Sequence, residues 1–352
     1  MKNGTVLTIA GGGTVNVSGT GISGSSPNSD LVVDGTTMNL NVASTYNGPT
    51  FIRSNGTPGN GILNANVANA LPTASGRTAV TMDDSGAGSS VLALSASQSV
   101  ASLTSPASSS SVNLNSKALT VGAASGTTTF AGTLSGTGGS VVKDGASTQV
   151  LSGSNTFTGG TTISGGTLSA AAAGALGATS GVAVNSGGTL LLGGAGAIDR
   201  VNDAAGLTLN GGALSTAGIS SSSETMGSLT LSANSTIDFG TGAGDQLTFA
   251  GVGAHTAGTT LSILNWSGTA KTVGGSGNDR LIFNGTSSAF TSVFAPADVS
   301  FSGFGPGYSA IQFDGSHYEI VAVPEPTTVF GGLILMGLAG WRERRRRAPR
   351  VG

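Results

Sequence analysis

"GVAVNSGGTLLLGG" (residues 181–194) decides the fold. Val182 and Val184 alternate with small or polar neighbours, Ser186-Gly187-Gly188 makes a turn, and a second short apolar run, Leu190–Leu192, follows. Period-2 alternation bounded by Gly, Asn and Ser is the signature of a strand. The same pattern recurs in "TVNVSG" (14–19), "MNLNVA" (38–43), "GLTLNGGALS" (206–215) and "SLTLSANSTIDFG" (228–240). No body segment sustains a 3.6-residue period, and Ala170–Ala173 is too short to make a helix. The fold class is all-β.

Spacing narrows the architecture. Leu190, Leu207 and Leu229 head "LLL", "LTL" and "LTL" runs, 17 and 22 residues apart. About 20 residues make one coil of a β-solenoid, whose stacked turns bury a column of small aliphatic side chains. Gly and Asn supply positive-φ corners, and an aromatic content of 5% suits a narrow interior. A β-sandwich, the competing fold, would call for bulkier core residues.

Composition agrees with a packed, weakly charged body. The chain of 352 residues holds 60 glycines, is 38% apolar and 9% charged, and carries a formal net charge of −2. Disordered chains combine low hydrophobicity with high net charge, which is the opposite pattern. Six of the 14 basic residues lie in the last 11 positions; without everything after Pro326, 8 basic and 15 acidic residues leave −7. An acidic body gives no support for nucleic-acid binding. The absence of cysteine excludes disulfides and thiolate metal sites. "MKNGTVLTIAGGGTV" (1–15) lacks the apolar core of a secretory signal and reads as a strand entered midway, so a start further upstream is expected.

Two long segments look like copies of one unit. "ASTYNGPTFI" (43–52) aligns with "SNTFTGGTTI" (154–163), setting Tyr46 against Phe157 at an offset of 111. "ANVANALPTASG" (65–76) aligns with "AAAAGALGATSG" (170–181), setting Leu71 against Leu176 at an offset of 105. The difference is a six-residue insertion in the first copy, assigned to the loop "RSNGTPGNG" (53–61).

"VVKDGASTQVLSGSNTFTGGTTISGGTLSA" (141–170) closely resembles the autotransporter-associated β-strand repeat. Lys143, Gly145, Leu151, Gly153, Asn155, Thr156, Phe157, Gly159, Gly160, Thr161 and Gly165–Leu168 carry the likeness. Ser147 departs from it, standing where the repeat usually has a second Gly, and Pro49 replaces a Gly in the earlier copy. The resemblance implies a right-handed parallel β-helix serving as the passenger of a bacterial surface protein.

Chemistry-bearing motifs are sparse. "GGSGNDRLI" (274–282) fits one calcium-binding nonapeptide, with Asp279 as the weak metal candidate, but a single copy cannot complete a site shared between turns. Asp83-Asp84 with Arg77 is the one acidic cluster a polysaccharide lyase could use, and its bland reading is a solvated turn. His255 and His317 lack spacing partners, so no acid–base pair is assembled. Threonine runs at 126–130 and 161–164 suggest an ice-binding face, but they do not repeat at coil spacing. Trp266 and the aromatics of 255–322 suggest a solenoid cap, or less simply a sugar-stacking platform.

The tail has three ordered parts: Pro324-Glu325-Pro326, an apolar run (Val329, Phe330, Leu333, Ile334, Leu335, Met336, Leu338, Trp341) and an Arg cluster (Arg342, Arg344, Arg345, Arg346, Arg347). The 13 residues of Val329–Trp341 would span about 20 Å as a helix, against about 30 Å of hydrocarbon. Arginines stay cytoplasmic, which puts the body outside the inner membrane. This order resembles the PEP-CTERM protein-sorting signal. The resemblance implies recognition by an exosortase-type membrane enzyme and release or attachment at the surface of a Gram-negative, exopolysaccharide-making cell.

The sequence therefore leads to an all-β chain: a β-solenoid over 1–254 with repeats near 43–76 and 141–181, a β cap over 255–322, and a sorting signal with a short transmembrane helix over 323–352. The expected role is structural and adhesive, without enzymatic activity or cofactor, in contact with exopolysaccharide or other surface proteins. A carbohydrate-active β-helix enzyme such as a polysaccharide lyase is the alternative, and an ice-binding surface a further one.

Overall fold

The computed structural model describes residues 4–24, 29–54, 59–73, 76–84, 88–194, 199–218, 221–242, 244–274 and 277–324. These residues form a parallel β-solenoid with almost no helix. Short strands run along its faces, and glycine-rich corners turn the chain from one face to the next.

Each strand pairs with the equivalent strand of the adjoining coil, so every face is a parallel sheet. A five-stranded first sheet begins at Val6–Ala10 and ends at Ser102–Thr104; a six-stranded second sheet begins at Thr14–Val17 and ends at Thr133–Ser135. The third sheet has eleven strands, starting at Gln98–Val100, and the fourth has nine, starting at Thr127–Phe130. The fourth continues the first, because Ser105 bridges Phe130 in parallel register and Ser105 N–H donates to Thr129 O at 3.0 Å. The coil containing Gln98–Val100, Ser102–Thr104 and Ser111–Asn113 feeds the third, first and second sheets in turn, so the middle of the solenoid is three-sided.

Period-2 alternation turns every second side chain inward, where like side chains stack in columns. Leu168, Leu190, Leu214, Ile237, Ile263 and Phe301 follow one another in register along the fourth sheet, all buried. Leu190 therefore does not head the series expected from spacing. Leu207 and Leu229 are true partners in the third sheet, but the residue stacked on Leu207 from the preceding coil is Val182. Each coil carries two apolar runs, and residue spacing alone does not distinguish a neighbouring face from a neighbouring coil.

The internal copies hold in detail. Thr50–Arg53 and Gly61–Ala65 in the first match Thr161–Ile163 and Gly166–Ala170 in the second. Tyr46, Phe157, Leu71 and Leu176 are all buried. The insertion falls between the two strands of the first copy; residues 55–58 within it lie outside the described residues. The first copy occupies the first and second sheets and the second copy the third and fourth. Since the fourth sheet continues the first, the unit has moved around the coil by one face.

The two ends differ. Parallel pairing runs on to Arg280–Asn284 and Val299–Phe301, inside the segment expected as a cap, and then antiparallel strands close the fold: Gly305–Pro306, Tyr308–Gln312 and His317–Ala322. Phe249, Phe283 and Tyr318 stack in sequence at 5.3 and 5.7 Å, and Phe290 packs edge-on to Phe283 at 5.0 Å. At the other end Val15 is 36% exposed and Leu7, Ile9 and Val17 are only half-buried, although their partners Met38, Leu31, Val33 and Leu40 are buried.

The aromatics of 255–322, read as a solenoid cap with a sugar platform as the lesser alternative, are mostly core. Trp266 is 8% exposed and packs on Phe301 at 4.9 Å. Among the described residues no helix is long and apolar enough to cross a membrane. The tail helix, with Glu325, Pro326 and everything that follows, lies outside them; Pro324 is the last described residue.

Candidate functional site

The 141–170 segment is a set of polar side chains that bond backbone from inside the solenoid. Lys143 is buried, and its ammonium donates to three carbonyls: Asp144 at 2.6 Å, Gly145 at 3.1 Å and Gly165 at 3.2 Å. Burial lowers its pKa, opposed by the nearby Asp144 carboxylate. Asp144 is paired with both terminal nitrogens of Arg77, one contact at 2.7 Å, and that hydrogen bond raises the Arg77 pKa. Gly145 has φ +65°, and a Cβ there would sit 2.4 Å from Ala123 O, so this corner admits only glycine. Ser147, the departure from the repeat, accepts from Ala123 N–H at 3.2 Å.

Asn155 accepts from Leu134 N–H at 2.7 Å and donates to Ala175 O at 2.7 Å, linking the coils on either side of its own. The Thr161 and Thr179 hydroxyls lie 3.0 Å apart, and Thr179 donates to Gly159 O at 3.0 Å. The first copy repeats this with Thr50 and Thr78 at 2.9 Å, and Thr78 donating to Gly48 O at 2.9 Å. Residues that define the repeat thus act as internal braces between coils.

A second polar column went unseen in the sequence. Arg200, Glu224, Asp245 and Asp279 are all buried. Glu224 accepts from Val201 N–H at 2.7 Å and Arg200 N–H at 3.1 Å, and lies 3.6 Å from the Arg200 guanidinium. Asp245 accepts from Ser222 N–H at 2.9 Å, and Asp279 from Asp245 N–H at 3.0 Å and Ser267 N–H at 3.0 Å. Each acid thus reaches the backbone of a preceding coil. Burial pushes the Glu224 carboxyl up to about 7 and raises that of Asp245. The signal was present in "DQLTFAG" (245–251) and "DRLIFNG" (279–285), which align residue for residue and pair in register.

Asp279 therefore has both carboxylate oxygens on backbone amides. Among the described residues no group of three His, Cys, Asp or Glu is placed to hold a metal. Arg77 is drawn to Asp144, while Asp84 accepts from Ser109 and Ser110 at 2.7 and 2.9 Å; the acidic cluster that the lyase alternative would need around Arg77 does not converge in these contacts. His255 has Val293 O and Thr259 O at its two ring nitrogens, 3.1 and 3.0 Å away.

His317 has partners that spacing did not suggest. Asp314 and Ser316 approach it at 2.8 and 3.0 Å, but both meet the same nitrogen, Nδ1. A relay needs the acid and the hydroxyl on opposite nitrogens, so this is the network of a tight hairpin turn. Asp314, bonded first by Ser316 N–H, has its carboxyl lowered to about 2.

One open concavity is a polar corner. A groove of about 740 Å³ crosses four coils along Asn185, Asn210, Asn234 and Thr259, with Asn210 donating to Asn185 at 3.1 Å. On the outer face of the second sheet, Asn64, Asn39 and Asn16 form an amide ladder with links of 2.6 and 2.7 Å. Such uncharged amides present donors and acceptors together.

In comparison with known families, residues 141–170 fit the passenger-associated transport repeat. No curated protein and no solved structure matches the chain. The matched stretch is the one whose Lys143, Asn155 and Thr161 brace the coils. A repeat-containing β-solenoid of this kind is consistent with a passenger-like extracellular protein.

Proposed function

We propose that this chain is a structural and adhesive scaffold of the bacterial cell surface or exopolysaccharide matrix, without enzymatic activity. The observation that carries the reading is the parallel solenoid built around a passenger-type repeat whose diagnostic polar residues are internal braces. Two of its ion pairs, the half-exposed Arg77–Asp144 and the buried Arg200–Glu224, also join separate coils. The uncharged Asn-lined faces suit neutral hydroxyl-rich polymers, which bind through hydrogen bonds to amides.

In this reading the coil is right-handed, and the C-terminal tail is a PEP-CTERM-like address. Pro324-Glu325-Pro326 is presented to an exosortase-type enzyme, the run from Val329 to Trp341 tethers the body to the inner membrane, and Arg342–Arg347 remain cytoplasmic until the tail is removed. Mass spectrometry of the protein from surface fractions tests it. A mature C-terminus near Pro324–Pro326 is expected; an intact chain ending at Gly352 in those fractions would refute the sorting step. Release of oligosaccharides from matrix polymers by the purified protein would overturn the non-enzymatic role.

A further inference from the structure

Charge separates the second sheet from the other three. Among the described residues its strands, from Thr14–Val17 to Thr133–Ser135, hold no ionisable side chain. The first sheet carries Asp34, Arg53 and Asp83 in register, and the third and fourth carry such residues as Arg280 and Asp238.

The outward positions of the second sheet run in rows along the solenoid axis. Asn16, Asn39, Asn64 and Asn113 share one row, with Ala93 between the last two. In the amide ladder Asn39 donates once to Asn16 and accepts once from Asn64, which leaves one hydrogen and one lone pair of its carboxamide for another group. Ile62 and Val91 stand in register in the neighbouring row, both half-buried. A further ladder lies one residue past the strands, where Asn66 donates to Asn41 at 2.8 Å and Ser95 to Asn66 at 3.1 Å. The rows lead to a groove of about 570 Å³ between Asn113, Asn115, Ser135 and Thr137. Gly136 in its wall has φ +134°, and a Cβ there would stand 2.6 Å from Asn115 N, so only glycine lets the two coils meet so closely.

Taking the adhesive role above as given, we propose that the second sheet binds an uncharged polysaccharide, laid along the solenoid axis from the Asn16 row into this groove. Amides already held by their neighbours meet sugar hydroxyls without first losing rotamer freedom. Ile62 and Val91 offer aliphatic surface to the C–H face of a sugar ring. Coils stand about 4.8 Å apart, so successive rings of an extended chain meet successive rungs. A uronate or sulfated polymer would find no cation on these strands and would be repelled by the acidic body.

Retention of the full chain on immobilised cellulose, dextran and galactomannan, with alginate as the polyuronate, tests this site. Retention on at least one of the neutral polymers, and not on alginate, is expected. Ala93→Arg lays a long side chain across the amide row without removing a hydrogen bond and should abolish that retention. Thr81→Arg, at an outward position of the first sheet, should leave it intact. Asn39→Ala with Asn64→Ala removes the amides instead and should weaken retention, so the site is read even if Ala93→Arg folds poorly. No retention on any neutral polymer, or equal retention on alginate, overturns the ligand class. Retention undiminished in both the Ala93 and the Asn39/Asn64 variants overturns the site and leaves the adhesive role standing. Cells lacking the protein that attach to their matrix as well as before would overturn the adhesive role instead.

Discussion

The side-chain amide of Gln149 brackets the peptide of Leu103, accepting from its N–H at 3.2 Å and donating to its carbonyl at 2.9 Å. Leu103 lies two coils away, and the Thr128 hydroxyl in the coil between them also donates to Gln149 at 2.9 Å. At this point the first sheet ends and the fourth begins, and the buried carboxamide completes a ladder that the strands leave incomplete.

Replacing that amide should open the junction. Gln149→Leu keeps the volume but leaves the Leu103 N–H and C=O and the Thr128 hydroxyl without partners, at about 1–3 kcal/mol for each buried group left unsatisfied. A repeat array can open locally, so a global midpoint is the wrong measure. Hydrogen exchange should show the Leu103 amide exchanging about 100-fold faster in Gln149→Leu, for a local loss of about 3 kcal/mol, with amides near Leu281 unchanged.

The two copies predict a stabilising exchange. Asn155 bonds Leu134 N–H and Ala175 O, whereas its counterpart Ser44 is buried with a hydroxyl that finds no partner among the described residues. The backbone matches: Thr156 N–H donates to Leu134 O at 2.9 Å and Thr45 N–H to Ile22 O at 2.8 Å. Ser44→Asn should therefore stabilise the first copy by about 1 kcal/mol, the ordinary net worth of a made hydrogen bond. The reciprocal Asn155→Ser should cost the second copy more, because it strands groups that are now bonded. Urea titration of the two variants side by side checks the opposite signs.

Strand content was legible because alternation is local, and so were the copies, since Tyr46 and Phe157 or Leu71 and Leu176 sit in recognisable settings. Which strand stacks on which was not. Leu190 and Leu207 look alike but face different sheets, because a coil carries two or three apolar runs and corner lengths vary. The buried column of Arg200, Glu224, Asp245 and Asp279 was hidden for another reason. In sequence an acid before a strand reads as a solvated turn, and only stacking reveals that it accepts from the coil beside it.

Asp279 separates a brace from a calcium ligand. With both oxygens on backbone amides, Asp279→Asn keeps one acceptor and turns an NH₂ group toward an N–H donor. That should cost about 1–3 kcal/mol with or without calcium. Thermal unfolding in calcium and in chelator should coincide for the wild-type chain. A rise in midpoint with calcium that disappears in Asp279→Asn would instead make the nonapeptide a true site.

Glu224 gives the fold a pH dependence of definite sign. Burial places its folded pKa at about 7, against an ordinary 4.5. Between these values the folded chain holds a proton that the unfolded chain has lost. The group's contribution is therefore fully present below 4.5 and is lost as pH rises through 7. At about 1.4 kcal/mol per pKa unit, the full loss is about 3 kcal/mol. Burial raises the carboxyls of Asp245 and Glu319 as well, so they act in the same direction. Denaturation midpoints should accordingly fall between pH 5 and pH 8. Glu224→Gln has no proton to lose at this position and should flatten most of that slope, with a pH 5 midpoint close to that of the wild-type chain, in which Glu224 is already a neutral carboxyl at that pH. A wild-type midpoint that rises over the same interval would show that Glu224 is held ionised by Arg200, with the ion pair outweighing its burial.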